Sequence, residues 1–257
     1  MEWTIQPGKT YAIIGARGGS KNVPQKNIRL IEGFPLIAYS IVAAKLTKGV
    51  DRVIVSTDSQ QIADIAKSFG AEVPFLRPAE LATDHSIDRD FIVHALEWLQ
   101  TNEKTIPEYL LFLRPTSPLR DPQKITEALE LIKNTPDATG LRSAHISDAV
   151  PQKMFALNGK YFTGLFPNDT RPEYHGFPRQ AFPPSYKADG YTDVLKSATV
   201  LSNPEVTYGD NILAFVTPDT GDIDVISDLH FVHAMLASKE WEVYEYLKKH
   251  YKTLQEL

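Results

Sequence analysis

Short apolar runs recur along the first half of the chain, separated by polar stretches. Thr10–Gly15 is the first run, followed by Arg52–Thr57 and Ala71–Phe75, and Tyr109–Leu113 is the most apolar. Their apolar residues are consecutive rather than alternating, which is typical of strands buried on both faces of a parallel sheet. We therefore predict a strand at each of these positions.

The segments between the runs have helical character. Pro35 precedes the first of them, Asp58 or Ser59 can cap the second, and Gly70 ends it. The predicted helices are Leu36–Ala44, Gln60–Phe69, Asp90–Gln100 and Gln123–Lys133. Alternating strands and helices predict a Rossmann-like α/β fold, a mostly parallel sheet with helices on both faces. In such folds ligands bind beyond the carboxyl ends of the strands.

The alternation stops at about residue 146. Residues 146–190 are rich in proline, glycine and aromatic residues, and Asn158-Gly159 is a hairpin turn signal. We interpret this segment as a small β-rich arm inserted into the domain, acting in dimerisation or as a substrate lid.

The pattern of the main domain resumes after the arm. A strand is predicted at Asn211–Val216, leading to Asp222-Ile223-Asp224, and one last helix from about Ser227 to Lys249. The whole chain, residues 1–257, is thus expected to form a single domain that carries the arm.

Composition narrows the classes of function. The chain has 42% hydrophobic and 23% charged residues and a net charge of −5, so no overall basic charge favours nucleic acid as a partner. An anionic substrate would need a few local arginines and lysines. Because there is no cysteine, disulfides, thiolate catalysis and cysteine zinc sites are excluded.

The sequence gives no sign of a membrane partner. Met1–Pro7 lacks the basic-then-apolar pattern of a signal peptide. No run of about 18 apolar residues, the length of a membrane span, occurs in the sequence. A cytoplasmic location is the expectation.

The loop after the first strand is the first candidate for chemistry; it consists of Ala16, Arg17, Gly18, Gly19, Ser20 and Lys21. Glycines allow backbone N–H groups to approach phosphate oxygens, and Arg17 and Lys21 supply the charge that a triphosphate requires. The loop matches neither the Walker pattern nor G-x-G-x-x-G. Taken alone, it could equally be a solvated surface turn.

Several ordered motifs together resemble one family. They are Ile13–Lys21, Pro24–Asn27, Val53–Asp58, Phe75–Asp84 and Arg114–Arg120, with shorter matches at Pro178–Gln180 and Asp222–Asp224. In this order they resemble the N-acylneuraminate cytidylyltransferases, the CMP-sialic acid synthetases. The resemblance is strong over about residues 10–125, and it implies a fold of the nucleotide-diphospho-sugar transferase type.

The resemblance implies attack by the anomeric hydroxyl of a sialic-acid-like nonulosonic acid on the α-phosphorus of CTP, which releases pyrophosphate. Residues 16–21 would bind the phosphates, and Arg17 and Lys21 would be catalytic. Lys26, Asn27 and Arg77 would complete the nucleotide site. Arg179 and Gln180 would bind the sugar, either in the site of their own chain or across the interface of a homodimer. The alternative is that they lie in an ordinary surface loop.

Asp222 and Asp224 are the expected metal ligands. In an extended segment two residues spaced in this way project from one face, and carboxylate oxygens suit hard cations. The resemblance implies Mg²⁺ here, with Mn²⁺ as the alternative. By itself, Asp-x-Asp more often caps a helix or lies on a solvated edge, and Asp228 could cap the last helix.

Two departures from the family pattern concern the sugar. Arg114 stands where sialic-acid-specific members have glutamine, and it could bind a sugar carboxylate or pair internally with Asp84 or Glu80. Asp189-Gly190-Tyr191 replaces Asn-Gly-Ala, which makes Asp189 a candidate sugar ligand. Asp193 could approach the metal or a substrate hydroxyl.

Both departures resemble the branch that acts on legionaminic or pseudaminic acid, some members of which use GTP. The sequence therefore leaves open whether CTP or GTP is the donor. Two hypotheses of other classes also stay open: a non-catalytic nucleotide-binding protein on the same fold, and a glycosyltransferase with its own Asp-x-Asp metal motif.

Overall fold

The computed structural model describes residues 2–19 and 23–254, and its centre is a six-stranded sheet. In chain order the strands are β1 (Ile5–Gly15), β2 (Leu30–Ile31), β3 (Phe34–Pro35), β4 (Arg52–Ser56), β5 (Ile106–Phe112), β6 (Gly140–Ile146), β7 (Phe155–Asn158), β8 (Tyr161–Gly164), β9 (Tyr186–Lys196) and β10 (Ile212–Val216). The order in the central sheet is β10-β6-β9-β5-β1-β4.

The pairing is mainly parallel. β1 runs parallel to β4 and β5, and β10 runs parallel to β6. Only β9 of the central sheet is antiparallel, pairing with β5 on one side and β6 on the other. The carboxyl ends of β1, β4 and β5 consequently meet at one edge, as the apolar runs predicted.

Helices cover both faces of the sheet. They are α1 (Leu36–Leu46), α2 (Gln60–Ser68), α3 (Asp88–Glu103), α4 (Pro122–Lys133), α5 (Ser197–Ser202), α6 (Ile226–Ser238) and α7 (Glu242–His250). On one face, Ile14 and Leu111 pack with buried residues of α1, α2, α4, α6 and α7. On the other, Ile13 and Phe112 pack with α3. The predicted fold class is confirmed.

The four predicted helices of the first half are present, with ends shifted by a few residues. Ser59 rather than Asp58 caps α2, its hydroxyl accepting a bond from the Ile62 N–H at 3.4 Å. Gly70 follows the helix with a φ of +86°, the left-handed conformation that suits glycine. No helix within residues 2–19 and 23–254 has the length and apolar character needed to cross a membrane.

Three predicted elements differ from the structure. Residues 71–75 form no strand, because only Glu72 bridges to Ile54. The predicted arm is too long at its end, since Tyr186–Gly190 belong to β9 in the central sheet. The single last helix is interrupted: α6 ends at Ser238, and the buried Trp241 turns inward, its Nε1 donating to the Met235 carbonyl at 2.9 Å.

The arm itself contains the predicted hairpin. β7 and β8 are antiparallel and are joined by Gly159-Lys160, with Gly159 at a φ of +59°. Apolar side chains such as Leu157 and Phe162 are largely exposed on this hairpin.

Candidate active site

A polar cavity of about 540 Å³ opens beyond the carboxyl ends of β1 and β5. The predicted site residues on its wall are Arg17, Lys26, Asn27, Arg77, Arg114 and Asp224. A second cavity of about 660 Å³ is larger, but its lining includes none of the predicted site residues that the structure describes. The position at the strand ends and the concentration of basic side chains identify the smaller cavity as the candidate site.

The loop after β1 forms one rim of this cavity. The Ala16 N–H donates to the Ser56 carbonyl at 3.0 Å, which fixes the start of the loop beside β4. The Gly18 N–H donates to Asp58 Oδ1 at 2.8 Å, so this predicted phosphate donor has an internal acceptor. A side chain built on Gly19 would meet no atom within 4 Å, which leaves that backbone open. The predicted ligands Ser20 and Lys21 lie outside the described residues.

Arg17 is held over the cavity from two sides. Its Nη1 donates to the Thr83 carbonyl at 2.7 Å and lies 3.0 Å from Asp84 Oδ1. The buried Asn27 supports the backbone at this point, its Nδ2 donating to the Arg17 carbonyl at 2.9 Å. Arg17 and Asn27 thus lie on the wall of one cavity, and their binding of a nucleotide stays a prediction.

Arg77 is a fixed cation of the cavity wall, only 6% exposed. Its Nε donates to Ser56 Oγ at 3.0 Å and its Nη2 to the Ser56 carbonyl at 2.6 Å. The guanidinium lies 4.4 Å from the centre of the Phe91 ring. Burial lowers the pKa of Arg77 to about 10, with Asp58 opposing the shift. Arg77 therefore keeps its charge at neutral pH.

The Lys26 side chain contacts the segment Asp222–Asp224 from the turn in which it lies. Its Nζ donates to the Ile223 carbonyl at 2.9 Å and lies 3.2 Å from Asp224 Oδ1. Asp222, two residues before Asp224, accepts a bond from Ser117 Oγ at 3.3 Å. The two predicted metal ligands thus lie between the turn that carries Lys26 and the loop that follows β5.

Asp228 caps α6, which is the role that the sequence analysis offered for it. Its Oδ2 accepts bonds from the N–H groups of Asp224 at 2.7 Å and Val225 at 2.8 Å. These backbone bonds lower the pKa of the Asp228 carboxyl. The cap leaves Asp222 and Asp224 without a helix-capping role of their own.

A third cavity, of about 390 Å³, adjoins the first. Its lining includes His145, Lys187, Asp189, Asp219, Asp222, Asp224 and Asp228. Asp224 lines both cavities, so they meet at this side chain. We call this third cavity the acidic cavity and the first one the basic cavity.

Arg114 forms the internal pair that was one of its two predicted roles, but with different partners. Its Nη1 lies 3.0 Å from Asp193 and its Nη2 2.8 Å from Asp88, in place of the expected Asp84 or Glu80. Burial opposes the charged form, but Asp193 and Asp88 outweigh it and raise the pKa of Arg114. The guanidinium still lines the cavity, while its charge is balanced internally.

The Asp193 side chain is 1% exposed and also accepts a bond from Tyr208 Oη at 2.6 Å. It is therefore occupied by Arg114 and Tyr208, and the expectation that it faces a metal or a substrate hydroxyl is wrong.

Asp189 faces the acidic cavity but is already well bonded. Its Oδ1 accepts from Ser143 Oγ at 2.6 Å and from the Tyr191 N–H at 3.0 Å, and its Oδ2 accepts from Thr217 Oγ1. These donors fix the orientation of the carboxylate. Binding of the sugar by Asp189 stays a prediction.

The two predicted sugar ligands of the arm lie elsewhere. Arg179 donates to the Ser147 carbonyl at 3.1 Å and lies 3.5 Å from Asp148. Neither Arg179 nor Gln180 lines either cavity of its own chain. Their reach into the site of a partner stays a prediction.

Sequence reasoning assigned no role to Arg120, the completely buried arginine behind the site. It donates to the carbonyls of Tyr191 at 2.5 Å, Arg114 at 2.6 Å and Gly190 at 2.8 Å, and to Ser40 Oγ at 2.8 Å. Burial lowers its pKa to about 10. The only sequence signal was its place at the end of the motif Arg114–Arg120.

The fold defines the class of protein. The structure superposes on a solved structure of CMP:2-keto-3-deoxy-manno-octonic acid synthetase complexed with CTP with a TM-score of 0.67, covering 89% of this chain and 98% of the other. Sequence identity is 20%, so this likeness establishes the fold alone.

Residues 11–164 match the cytidylyltransferase family model, and the chain belongs to that family. It is 47% identical over 127 residues to a CMP-N,N'-diacetyllegionaminic acid synthase of Legionella pneumophila, covering 49% of this chain and 54% of that protein. A second protein of that name, from Campylobacter jejuni, is 33% identical over 222 residues, covering 85% of this chain and 90% of its own length. The chain thus spans about half the length of the Legionella relative.

Proposed function

We propose that this protein transfers CMP from CTP to the anomeric hydroxyl of a nonulosonic acid of the legionaminic type and releases pyrophosphate. The observation that carries the proposal is the junction of the two cavities at Asp224: one is lined by four basic and three acidic side chains, so it offers cations to a triphosphate, and the other can hold a polar sugar. The names of the relatives support the class of sugar.

The nucleotide is assigned to the basic cavity. Arg17, Lys26 and Arg77 provide three cations there on a chain whose net charge is −5, and the first two of them are paired with aspartates of the same cavity. Fixed charges of this kind stabilise the phosphoryl group as charge shifts to the leaving pyrophosphate, without reorganisation during the reaction.

Mg²⁺ is the proposed metal, with Mn²⁺ as the alternative, and Asp222 and Asp224 would hold it. Within residues 2–19 and 23–254 no group of three histidine or carboxylate side chains is placed to bind a metal. A pair of carboxylates fits Mg²⁺, which is usually bound by one or two of them together with water and substrate phosphates. When bound, the ion would neutralise charge on the phosphate oxygens.

The experiment is a substrate matrix. CTP and GTP are each combined with legionaminic, pseudaminic and N-acetylneuraminic acid and Mg²⁺, and pyrophosphate release is followed while the product mass is determined. We expect release with CTP and legionaminic acid. Release with GTP alone would contradict the choice of base, and binding of triphosphate without release for any sugar would favour the non-catalytic hypothesis.

We also propose that the protein is a cytoplasmic homodimer whose arms exchange across the interface. The proposal is supported by the exposed Leu157 and Phe162 on the hairpin and by the position of Arg179, which is not among the described residues that line the two cavities of its own chain. Light scattering is expected to give twice the mass of one chain, and Leu157→Asp with Phe162→Asp should reduce it to one. A monomeric mass for the unaltered protein would contradict the proposal.

A further inference from the structure

We infer, resting on the proposed function, that His145 is the general base that accepts the proton of the attacking sugar hydroxyl. His145 lies near the end of β6 and lines the acidic cavity together with Asp222 and Asp224. Its side chain is 13% exposed, so it is buried on one side and open to the cavity on the other. The family motifs of the sequence do not include it.

The two ring nitrogens of His145 face different carboxylates. Nδ1 lies 3.7 Å from Asp189 Oδ2, and Nε2 lies 4.0 Å from Asp219 Oδ2. Nδ1 is buried and has no hydrogen-bond partner within the described part of the chain. A buried polar atom without a partner requires an explanation, and a role in catalysis is one that fits this position. Catalytic hydrogen bonds are often long before substrate binds, and a small ring movement would bring Nδ1 to Asp189.

Asp189 is suited to orient the ring because it is itself fixed. Ser143 Oγ, the Tyr191 N–H and Thr217 Oγ1 all donate to its carboxylate. A carboxylate behind an imidazole holds the proton on the near nitrogen and stabilises the imidazolium that forms. Nε2 is then the nitrogen available to accept a proton. Asp189 thus acts as a positioning residue for His145.

The location of His145 fits the direction of the reaction. Because Asp224 lines both cavities, a sugar in the acidic cavity has its reacting hydroxyl between His145 and the nucleotide. The charged groups that line this space besides His145 are Lys187, Asp189, Asp219, Asp222, Asp224 and Asp228.

The step balances as follows. The anomeric oxygen forms a bond to the α-phosphorus, and the bond from that phosphorus to the oxygen bridging to the β-phosphorus breaks. Pyrophosphate leaves with the electron pair of that bond. The hydroxyl proton passes to Nε2 of His145 and is later released to solvent.

The test begins with the unaltered enzyme, CTP, legionaminic acid and Mg²⁺, and then compares His145→Gln. Since general bases contribute about 10²–10⁴-fold, we expect kcat to fall by at least about 10²-fold with KM for CTP nearly unchanged. The acidic limb of the kcat profile against pH should disappear. Imidazole added to His145→Ala should restore turnover, which a purely structural histidine would not allow.

The matched control is His233→Gln. His233 pairs with Glu32 at 2.7 Å and lines the separate cavity of about 660 Å³, so its kcat should equal that of the unaltered enzyme. Asp189→Asn, in which the amide oxygen can still accept bonds, should lower kcat about tenfold. If the His145 variants fail to fold, as judged by melting temperature and CTP affinity, the kcat of Asp189→Asn tests the role of His145 instead.

The outcomes separate this inference from the proposed function. If the unaltered enzyme releases no pyrophosphate with any substrate pair, both are overturned. If it turns over while His145→Gln keeps its kcat and pH profile, or imidazole fails to rescue a folded His145→Ala, only the role of His145 is overturned. An unchanged kcat in Asp189→Asn, with the His145 variants unfolded, has the same consequence.

Discussion

Asp224→Ala is expected to reduce the rate of pyrophosphate release by at least about 10³-fold, since a catalytic metal contributes several kcal/mol of charge stabilisation. Asp224 lines both cavities, and Lys26 Nζ lies 3.2 Å from its carboxylate. Removing it takes away one proposed metal ligand and the ion pair of Lys26, which keeps its bond to the Ile223 carbonyl. Because the side chain is 70% exposed, the free energy of unfolding should change little.

The measurement is single-turnover pyrophosphate release at saturating CTP and sugar, with Mg²⁺ varied. A higher concentration of Mg²⁺ for half-maximal rate in Asp224→Ala would tie the loss to the metal. Asp210→Ala is the control, since Asp210 is exposed and outside both cavities. Rates within about threefold of the unaltered enzyme, roughly 0.6 kcal/mol, would remove Asp224 from the site.

Arg120→Leu is expected to lower the free energy of unfolding by about 3–5 kcal/mol, because several buried acceptors lose their donor at a cost of about 1–3 kcal/mol each. The guanidinium satisfies three carbonyls, those of Arg114, Gly190 and Tyr191. Leucine fills part of the space but donates to none of them, so buried acceptors are left unpaired. The loop after β5 and the bend at Gly190 in β9 then lose their common anchor.

Urea unfolding measures this effect, and the two-state slope should be unchanged if only the native state is affected. Lys124→Leu is the control, because Lys124 forms only a surface pair with Glu127 at 2.7 Å and such pairs contribute about 0–1 kcal/mol. A loss below about 1 kcal/mol for Arg120→Leu would show that water replaces the guanidinium.

The first half of the fold could be predicted from the sequence because its strands are apolar throughout. Ile13 and Leu111 are completely or almost completely buried, as continuous apolar runs imply. β9 could not be predicted in this way. It carries Asp189 and Asp193 in the interior, where Arg114, Ser143 and other side chains satisfy them. Such polar pairings form only in the folded sheet and leave no hydrophobic periodicity.

In the candidate site, too, the residues of local motifs could be predicted, whereas contacts between elements distant in sequence could not. Arg17, Lys26, Asn27 and Arg77 belong to local motifs whose order along the chain places them at the strand ends, and they share one cavity. The partners of Arg114 depend on α3 and β9, which are distant in sequence, so Asp88 and Asp193 could not be selected over Asp84 and Glu80. His145 was missed for the same reason, because its neighbours come from other strands and loops.

The antiparallel β9 also governs the order in which the sheet can assemble. β4, β1 and β5 lie on one side of it and β6 and β10 on the other. These two groups are therefore joined only after residue 196 has been synthesised. Until then β5 and β6 each expose an unpaired edge, which is open to association with other chains. Pairings this distant in sequence are slow to form, and strand edges are prone to association with other chains until they are covered.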